Sequence, residues 1–266
     1  MSSLRAVWIL FWFFLITLVL APVQWLLIKV NSRYARMLPH YYHRLIAKIM
    51  GLRIHVDGHV RPDQPTLLVA NHISWMDIVV FTAVTPLSFV AKREVSTWPG
   101  VKVLANLQQT IFVDRERRSE SLKSAEEISE RLNNGEVVVL FPEGTSSDGN
   151  RVLPFKSSLF AAAAKADRDT FVQTAAIAYT FLGGVPLGRR ARPIVAWYGD
   201  MEMGGHVWTL LKAGPLDVHI RLGEPVPLEK MGDRKALALL TEEQIRDDMA
   251  DLLSLRPYET KRPTAD

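Results

Sequence analysis

The fold of this chain is decided by two stretches of its sequence, TLLVANHISWMD at residues 66–77 and EVVVLFPEGTSS at residues 136–147. Each stretch begins with an apolar, β-branched run that predicts a buried strand, and each then continues into polar residues. Open α/β sheets bind their ligands just beyond the carboxyl ends of the strands. We therefore expect the polar residues of both stretches to meet at one edge of a sheet.

Strands and helices alternate on both sides of these stretches. The other predicted strands are residues 53–57, 87–91, 110–113, 172–179 and 194–198, and a last one near 217–222. Helical periodicity predicts helices at 119–134 and 241–253, and Thr241 and Gln244 fit a capping box that would begin the second of these helices. This pattern predicts an α/β fold in which a mixed sheet is flanked by helices.

The N-terminal region is both the most apolar and the most basic part of the chain. Residues 6–28 are 23 consecutive uncharged residues, which as a helix would be about 34 Å long, enough to cross the core of a bilayer. Residues 1–56 contain seven basic residues and no acidic residue, whereas the rest of the chain carries 25 basic and 28 acidic residues. We expect a membrane anchor, followed by a basic amphipathic segment at 32–50.

Two questions about this anchor stay open at the level of sequence. It could span the bilayer, or it could bend at Pro22 into a hairpin in one leaflet. The alternative interpretation is that the apolar run is a core helix and that the basic segment is a solvated helix packed on the domain.

Composition and patterning together suggest three parts. These are the anchor and amphipathic segment at residues 1–50, a main domain at 51–230, and a C-terminal helix with a polar tail at 231–266. A composition of 48% apolar and 23% charged residues excludes a disordered chain. The absence of cysteine excludes disulfides, thiolate nucleophiles and cysteine-ligated metal sites.

His72 and Asp77 are the first candidate catalytic pair. Residues five apart on a continuous helix point about 140° away from each other, so these two side chains can meet only if the chain turns between them. After such a turn the carboxylate would orient the imidazole and leave its other nitrogen free to act as a base. The alternative is a loop histidine followed by an aspartate that caps a helix.

The residues Glu143, Gly144 and Thr145 form the second candidate cluster. They follow the strand of residues 136–141, and they would bring a carboxylate, a flexible backbone and a hydroxyl to the edge of the sheet. A Pro-Gly turn that merely connects a strand to a helix is the alternative interpretation.

Over residues 50–225 the chain resembles the glycerolipid acyltransferases of the 1-acylglycerol-3-phosphate acyltransferase type. Three ordered motifs carry the resemblance: Asn71, His72, Ser74 and Asp77; Phe112-Val113-Asp114-Arg115; and Phe141 through Thr145, then Ser147. The resemblance implies that His72 is the general base and that Asp77 orients it. It also implies that Arg115, Glu143 and Gly144 bind the lysolipid head group, with Asn71, Ser74 and Thr145 as further substrate-binding residues.

The chain departs from this family at two places. The arginine of the third motif is Ser146 here, and the proline of the fourth motif is absent from residues 172–176. Losing a guanidinium removes a bidentate phosphate ligand, for which Arg115, Lys156 or the cluster Arg189, Arg190 and Arg192 could compensate. The stretch at residues 196–201 is similar to a bacterial branch that includes lyso-ornithine lipid acyltransferases, whose acceptor has an amino-acid head group.

The resemblance implies an O-acyltransferase that moves a fatty acyl group from acyl-CoA or acyl carrier protein to the free hydroxyl of a lysolipid. The favoured acceptor is 1-acyl-sn-glycerol-3-phosphate, which gives phosphatidic acid, and a lyso-ornithine lipid is the alternative. No cofactor, metal ion or nucleic acid is expected. The expected location is the bacterial inner membrane, with the catalytic domain on the cytoplasmic side.

Three further expectations remain. The apolar residues 78–85 could line an acyl tunnel, although packing in the core is the favoured interpretation. A hydrolase that uses Ser74 or Ser146 is an alternative activity, but the G-x-S-x-G signature of α/β-hydrolases is absent. A non-catalytic lipid-binding membrane protein is the alternative from another class, and it would have no need of His72.

Overall fold

The computed structural model of the chain describes residues 2–61, 64–98, 100–113, 118–160 and 169–254. The helices are α1 (Ser2–Lys29), α2 (Tyr34–Met50), α3 (Met76–Val84), α4 (Val101–Leu107), α5 (Arg118–Asn133), α6 (Met203–Ala213) and α7 (Arg234–Ser254). The strands are β1 (Leu52–Asp57), β2 (Thr66–Ala70), β3 (Ser88–Lys92), β4 (Ile111–Val113), β5 (Val137–Leu140), β6 (Phe171–Leu182), β7 (Val185–Pro186), β8 (Leu216–Leu222) and β9 (Val226–Pro227).

The strands form one mixed sheet, as the alternation of strands and helices predicts. Its order is β1-β8-β6-β2-β5-β3-β4, and the short strands β7 and β9 pair with β6. Strands β6, β2, β5, β3 and β4 are parallel neighbours, whereas β8 runs antiparallel to β6. All five residues of β2 and all four of β5 are buried, and both strands are uninterrupted runs of apolar or β-branched residues. This pattern is typical of parallel strands, because helices cover both faces of a parallel sheet.

The topology brings the two motif-bearing strands together. Strands β2 and β5 are adjacent and parallel, with Leu67 opposite Val138 and Val69 opposite Leu140. The residues that follow the two strands therefore leave the sheet at the same edge. The expected meeting of residues 71–77 with residues 141–147 is confirmed.

The predicted strand at residues 194–198 is wrong. Arg192–Ile194 form a short 3₁₀ turn, and residues 195–198 continue as a loop. Val195 and Ala196 are fully buried, so the apolar run signals burial rather than a strand. The loop contacts the motif-bearing loops: the Trp197 amide donates to the Ile73 carbonyl oxygen (3.0 Å), and the Ser146 hydroxyl donates to the Trp197 carbonyl oxygen.

The predicted start of the C-terminal helix is also wrong. Helix α7 begins at Arg234, where Oδ1 of Asp233 accepts hydrogen bonds from the amides of Lys235 and Ala236, both at 2.9 Å. Thr241 lies inside the helix, buried, and its hydroxyl donates to the Leu237 carbonyl oxygen (2.7 Å). A threonine that bonds back to the preceding turn resembles a cap in sequence, because both arrangements need a short hydroxyl side chain.

Helix α1 is long and apolar enough to cross a membrane, yet it is docked along its length on the rest of the chain. Arg5 donates to the carbonyl oxygens of Leu211 and Met50 at the ends of α6 and α2. The buried Nε2 of Gln24 donates to the carbonyl oxygen of Leu107 at the end of α4 (2.8 Å). The helix continues through Pro22 to Lys29, so the chain turns after Lys29 and not at the proline.

Candidate active site

The chain turns between His72 and Asp77, as their pairing requires. Asp77 is the second residue of α3 and is fully buried, while His72 lies in the loop after β2. Oδ2 of Asp77 accepts hydrogen bonds from the imidazole Nδ1 of His72 (2.8 Å) and from the amides of Ile73 (2.7 Å) and Ser74 (3.0 Å). The carboxylate thus fixes both the loop and the ring, and His72 donates through Nδ1.

The other oxygen of Asp77 is held by a residue that the motifs do not include. The hydroxyl of Tyr179, on β6, donates to Oδ1 of Asp77 at 2.6 Å, and the ring of Tyr179 is buried. Burial and the neighbouring carboxylate raise the pKa of Tyr179 well above its ordinary value, so the phenol remains a donor. Sequence analysis missed this residue, because a tyrosine inside an apolar strand carries no local signal of a partner 102 residues away.

The imidazole of His72 is left with one usable nitrogen. Its ring stacks on Phe141, with centroids 4.3 Å apart and an angle of 19° between the planes, and 20% of the side chain is exposed. Since Nδ1 is bound to Asp77, Nε2 is the atom that can accept a proton from a substrate. Phe141 is the first residue of the second motif-bearing loop, so the two loops jointly orient the ring.

Glu143 ties the same two loops together. Its Oε1 accepts from the His72 amide (2.8 Å) and its Oε2 from the Leu153 amide (3.0 Å), and the residue is 1% exposed. Burial raises the pKa of Glu143 to about 8. The hydrogen bonds from the two amides lower this pKa, and the nearby carboxylates of Asp77 and Glu242 raise it by smaller amounts. These contacts are to backbone, so the geometry gives Glu143 a positioning role; its predicted binding of substrate stays a prediction.

The other predicted substrate-binding residues fall into two groups. Asn71 and Ser74 are fully buried: Asn71 exchanges hydrogen bonds with the backbone of Ile177 on β6 (2.8 and 3.0 Å), and the hydroxyl of Ser74 has no partner among the described residues. Gly144, at φ 70°, and Thr145 line the cavity described below. Arg115 lies outside the described residues.

A cavity of about 800 Å³ lies beside His72. Its wall is mostly apolar and comes from helices far apart in the chain, with contributions from Phe13, Ala21, Tyr42, Ile46, Leu104 and Val207. Of the predicted tunnel segment at residues 78–85, Ile78 and Val79 line this cavity, while Val80, Phe81 and Thr82 are buried in the core. The segment therefore contributes both to the core and to the wall of the cavity, and its role in holding an acyl chain stays a prediction.

Polar residues are found at the part of the wall formed by the strand ends. Ser146 and Trp197 line it next to His72. Two residues of the described lining have charged side chains of the Lys, Arg, Asp or Glu type. They are Lys92, which is the last residue of β3, and Glu94. Arg189, Arg190, Arg192 and Lys156 are not part of that lining. Sequence analysis missed Lys92 and Glu94, although their position just after a predicted strand was a usable signal.

The chain has known relatives. A family model described as "Acyltransferase" matches residues 52–178. A lyso-ornithine lipid O-acyltransferase from Brucella abortus is 46% identical over 236 residues, which are 87% of this chain and 88% of that protein. A 1-acyl-sn-glycerol-3-phosphate acyltransferase from Neisseria meningitidis is 32% identical over 209 residues, 78% of each chain.

The fold is also that of a solved structure. The crystal structure of the 1-acyl-sn-glycerophosphate (LPA) acyltransferase PlsC from Thermotoga maritima matches with a TM-score of 0.67. The match covers 97% of this chain and 100% of that one, at 23% sequence identity. At this identity the likeness concerns the fold alone.

Proposed function

Because this chain belongs to the acyltransferase family, we propose that it transfers a fatty acyl group from a thioester donor to the free hydroxyl of a lyso-ornithine lipid. The donor would be acyl-CoA or acyl carrier protein, used as a substrate, and no cofactor takes part. The family supports the reaction type, and the choice of acceptor rests on the site.

One observation carries the choice of acceptor, namely the hydrogen bond from the Ser146 hydroxyl to the Trp197 carbonyl oxygen. An arginine at this position could bind a phosphate monoester with two parallel hydrogen bonds. Serine uses its hydroxyl to hold the neighbouring loop and supplies no cation. An amino-acid head group, which carries both a carboxylate and an ammonium, places less negative charge on the site than a phosphate monoester does.

The Brucella abortus relative supports the same acceptor through its name. 1-Acyl-sn-glycerol-3-phosphate, which the motifs favoured, becomes the second candidate. The Neisseria meningitidis relative and the cation Lys92 in the cavity favour it.

The mechanism follows from the geometry of His72 and Asp77. Nε2 of His72 takes the proton from the acceptor hydroxyl as its oxygen attacks the thioester carbonyl carbon. The carbon–sulfur bond then breaks, and the proton passes from His72 to the leaving thiolate. Asp77 stabilises the imidazolium in between. The hydroxyl of Ser74 is fully buried and that of Ser146 is bonded to Trp197, so neither is placed as a nucleophile for a hydrolase.

The apolar cavity is the proposed site of an acyl chain, and the exposed face of α1 is the proposed membrane contact. Leu4, Phe11 and Leu18 on that face are 75%, 59% and 73% exposed. Acyl thioesters are cytoplasmic molecules, so we place the catalytic domain at the cytoplasmic surface of the inner membrane.

The test compares lyso-ornithine lipid with lysophosphatidic acid as acceptors, using one acyl thioester and detecting the released thiol. We expect a higher kcat/KM on the lyso-ornithine lipid. His72→Ala should abolish thiol release, and Asp77→Asn should lower kcat by about 10³–10⁴, the effect of losing an orienting carboxylate. A preference for lysophosphatidic acid would overturn the proposed acceptor, and activity in His72→Ala above a tenth of wild type would overturn the mechanism.

Ser146→Arg is the matched variant for the acceptor. It should improve kcat/KM on lysophosphatidic acid by about tenfold or more, since a charge-assisted hydrogen bond contributes about 1.5–3 kcal/mol. The same variant should leave the lyso-ornithine acceptor unimproved. No gain on lysophosphatidic acid would show that another cation already fills this place.

A further inference from the structure

Two tryptophans form a corner in the wall of the cavity. The rings of Trp98 and Trp197 lie 5.7 Å apart between centroids and are nearly perpendicular, at 87°. Both line the cavity that contains His72. In this edge-to-face arrangement the edge of one indole meets the face of the other, and an indole face that remains uncovered attracts an alkylammonium group through its negative π surface.

This corner is held in place by the backbone. The Trp197 amide donates to the Ile73 carbonyl oxygen (3.0 Å), one residue beyond His72, and the indole Nε1 donates to the Met201 carbonyl oxygen (2.9 Å). The backbone of Trp98 is bonded to Val95 (3.3 Å) and to Lys102 (3.1 Å). The indole faces are therefore preorganised next to the catalytic loop, and most of the bonds that hold them do not involve the indole side chains.

The described lining contains two charged side chains of the Lys, Arg, Asp or Glu type, Lys92 and Glu94, and a zwitterionic head group carries an opposite charge for each of them. Glu94 supplies the carboxylate of the described lining. It lies in the 3₁₀ turn Arg93–Thr97, just before Trp98. Its side chain is exposed and has no hydrogen bond or ion pair within the described part of the chain. A carboxylate in the wall of the same cavity increases the attraction for an ammonium group.

We propose that Trp98, Trp197 and Glu94 form a subsite that binds the side-chain ammonium of an ornithine head group. The proposal rests on the proposed function, since it names the part of the site that would recognise that acceptor. The proposal also explains why position 146 is a serine and not an arginine. The Ser146 hydroxyl bonds to the carbonyl oxygen of Trp197 and so helps to hold this tryptophan in the wall of the cavity. Trp98, Trp197 and Glu94 belong to none of the three sequence motifs.

The experiment uses two acceptors that differ only at the side-chain amine. These are lyso-ornithine lipid and the same lipid with its side-chain amine acetylated, each assayed with the full-length protein in mixed micelles. Acetylation removes the positive charge and leaves the reacting hydroxyl unchanged. For the wild type we expect kcat/KM to fall by about three- to thirtyfold on acetylation, the range of a partly desolvated cation–π contact.

Substitutions in the proposed subsite test whether the preference for the free amine arises there. Trp197→Leu and Glu94→Gln should lower the ratio of kcat/KM on the free amine to kcat/KM on the acetylated acceptor. Trp197→Phe is the matched control, because it retains an aromatic face, and it should keep most of the preference. The ratio between the two acceptors is the decisive readout, since a purely structural defect would slow both acceptors alike.

The outcomes separate this inference from the proposed function. Equal kcat/KM of the wild type on both acceptors, or variants that slow both acceptors equally, would overturn the ammonium subsite and leave the proposed function standing. No acylation of either acceptor by the wild type would overturn the proposed function and the subsite with it.

Discussion

At the scale of single residues, Asp77 is the most fully bonded side chain of the site. Its two oxygens accept from one imidazole, two amides and one phenol, all between 2.6 and 3.0 Å. Four donors therefore hold both oxygens of this buried side chain in place. A side chain held in this way can keep the ring of His72 in one orientation.

The phenol of Tyr179 is the donor whose contribution is easiest to isolate. Tyr179→Phe keeps the buried ring and removes only the bond to Asp77, so we expect kcat to fall by about tenfold and KM to change little. Without this bond the carboxylate is held less firmly, so it orients the ring of His72 less well.

Thr180→Val is the control for this variant, because the hydroxyl of Thr180 bonds to the Asp217 carbonyl oxygen and not to Asp77. It should leave kcat unchanged. An unchanged kcat in Tyr179→Phe would show that this bond is not part of the catalytic arrangement.

Glu143 predicts a pH dependence of stability. Its pKa of about 8 in the folded protein lies above the ordinary value of 4.5. The folded chain therefore retains a proton that the unfolded chain releases, so this contribution is complete below pH 4.5 and is lost as the pH rises through 8. The Tm of the wild type should fall between pH 6 and pH 9 by a few degrees more than that of Glu143→Gln, which mimics the neutral acid. Parallel Tm curves would contradict the elevated pKa.

At the scale of elements, α1 has two different faces. One lines the cavity and is bonded to the ends of α2, α4 and α6 through Arg5 and Gln24. The opposite face carries exposed tryptophan, phenylalanine and leucine side chains. A helix docked over about 28 Å of its length cannot be surrounded by lipid, so we expect α1 to insert its exposed face into one leaflet.

Leu18→Glu tests this arrangement. Leu18 is 73% exposed, so the substitution should change the Tm little, while a carboxylate in contact with lipid should weaken binding to anionic vesicles by about a hundredfold. Vesicle sedimentation measures the binding.

Its neighbour Thr17 provides the control, since its hydroxyl bonds to the phenol of Tyr42 (2.7 Å) on the docked face. Thr17→Val should lower the Tm and leave vesicle binding unchanged. Undiminished sedimentation of Leu18→Glu would argue against insertion of the exposed face.

At the scale of the whole molecule, the cavity exists only because helices from both ends of the domain close over the edge of the sheet. Ala21 of α1 lines it, more than 50 residues before His72 in the chain. Ala21→Phe would fill space at that side, so we expect preference among acyl chains to move toward shorter ones.

Competition between acyl thioesters of increasing length, and a matching series of lysolipids, would show which of the two chains occupies the cavity. Val19→Phe, on the exposed face of the same helix, should leave both length preferences unaltered. Unaltered preferences in Ala21→Phe would place the acyl chains outside this cavity.

The sequence by itself determined the mixed α/β fold, the edge of the sheet at which the site lies, and the pairing of His72 with Asp77. Each depends on local pattern: uninterrupted apolar runs mark buried strands, and five residues between a strand and a helix leave room for one turn. The roles of Asn71 and Glu143 were less predictable, because their partners Ile177 and Leu153 lie in other segments.

Only the tertiary structure decided which distant residues complete the site. Tyr179 reaches Asp77 because β6 is the neighbour of β2 in the sheet, and Trp197 reaches Trp98 because residues 195–198 form a loop and not a strand. Strand order and loop packing arise from contacts between residues about 100 positions apart, which local periodicity does not encode. An apolar run shows that a segment is buried, and the rest of the fold decides what it is buried against.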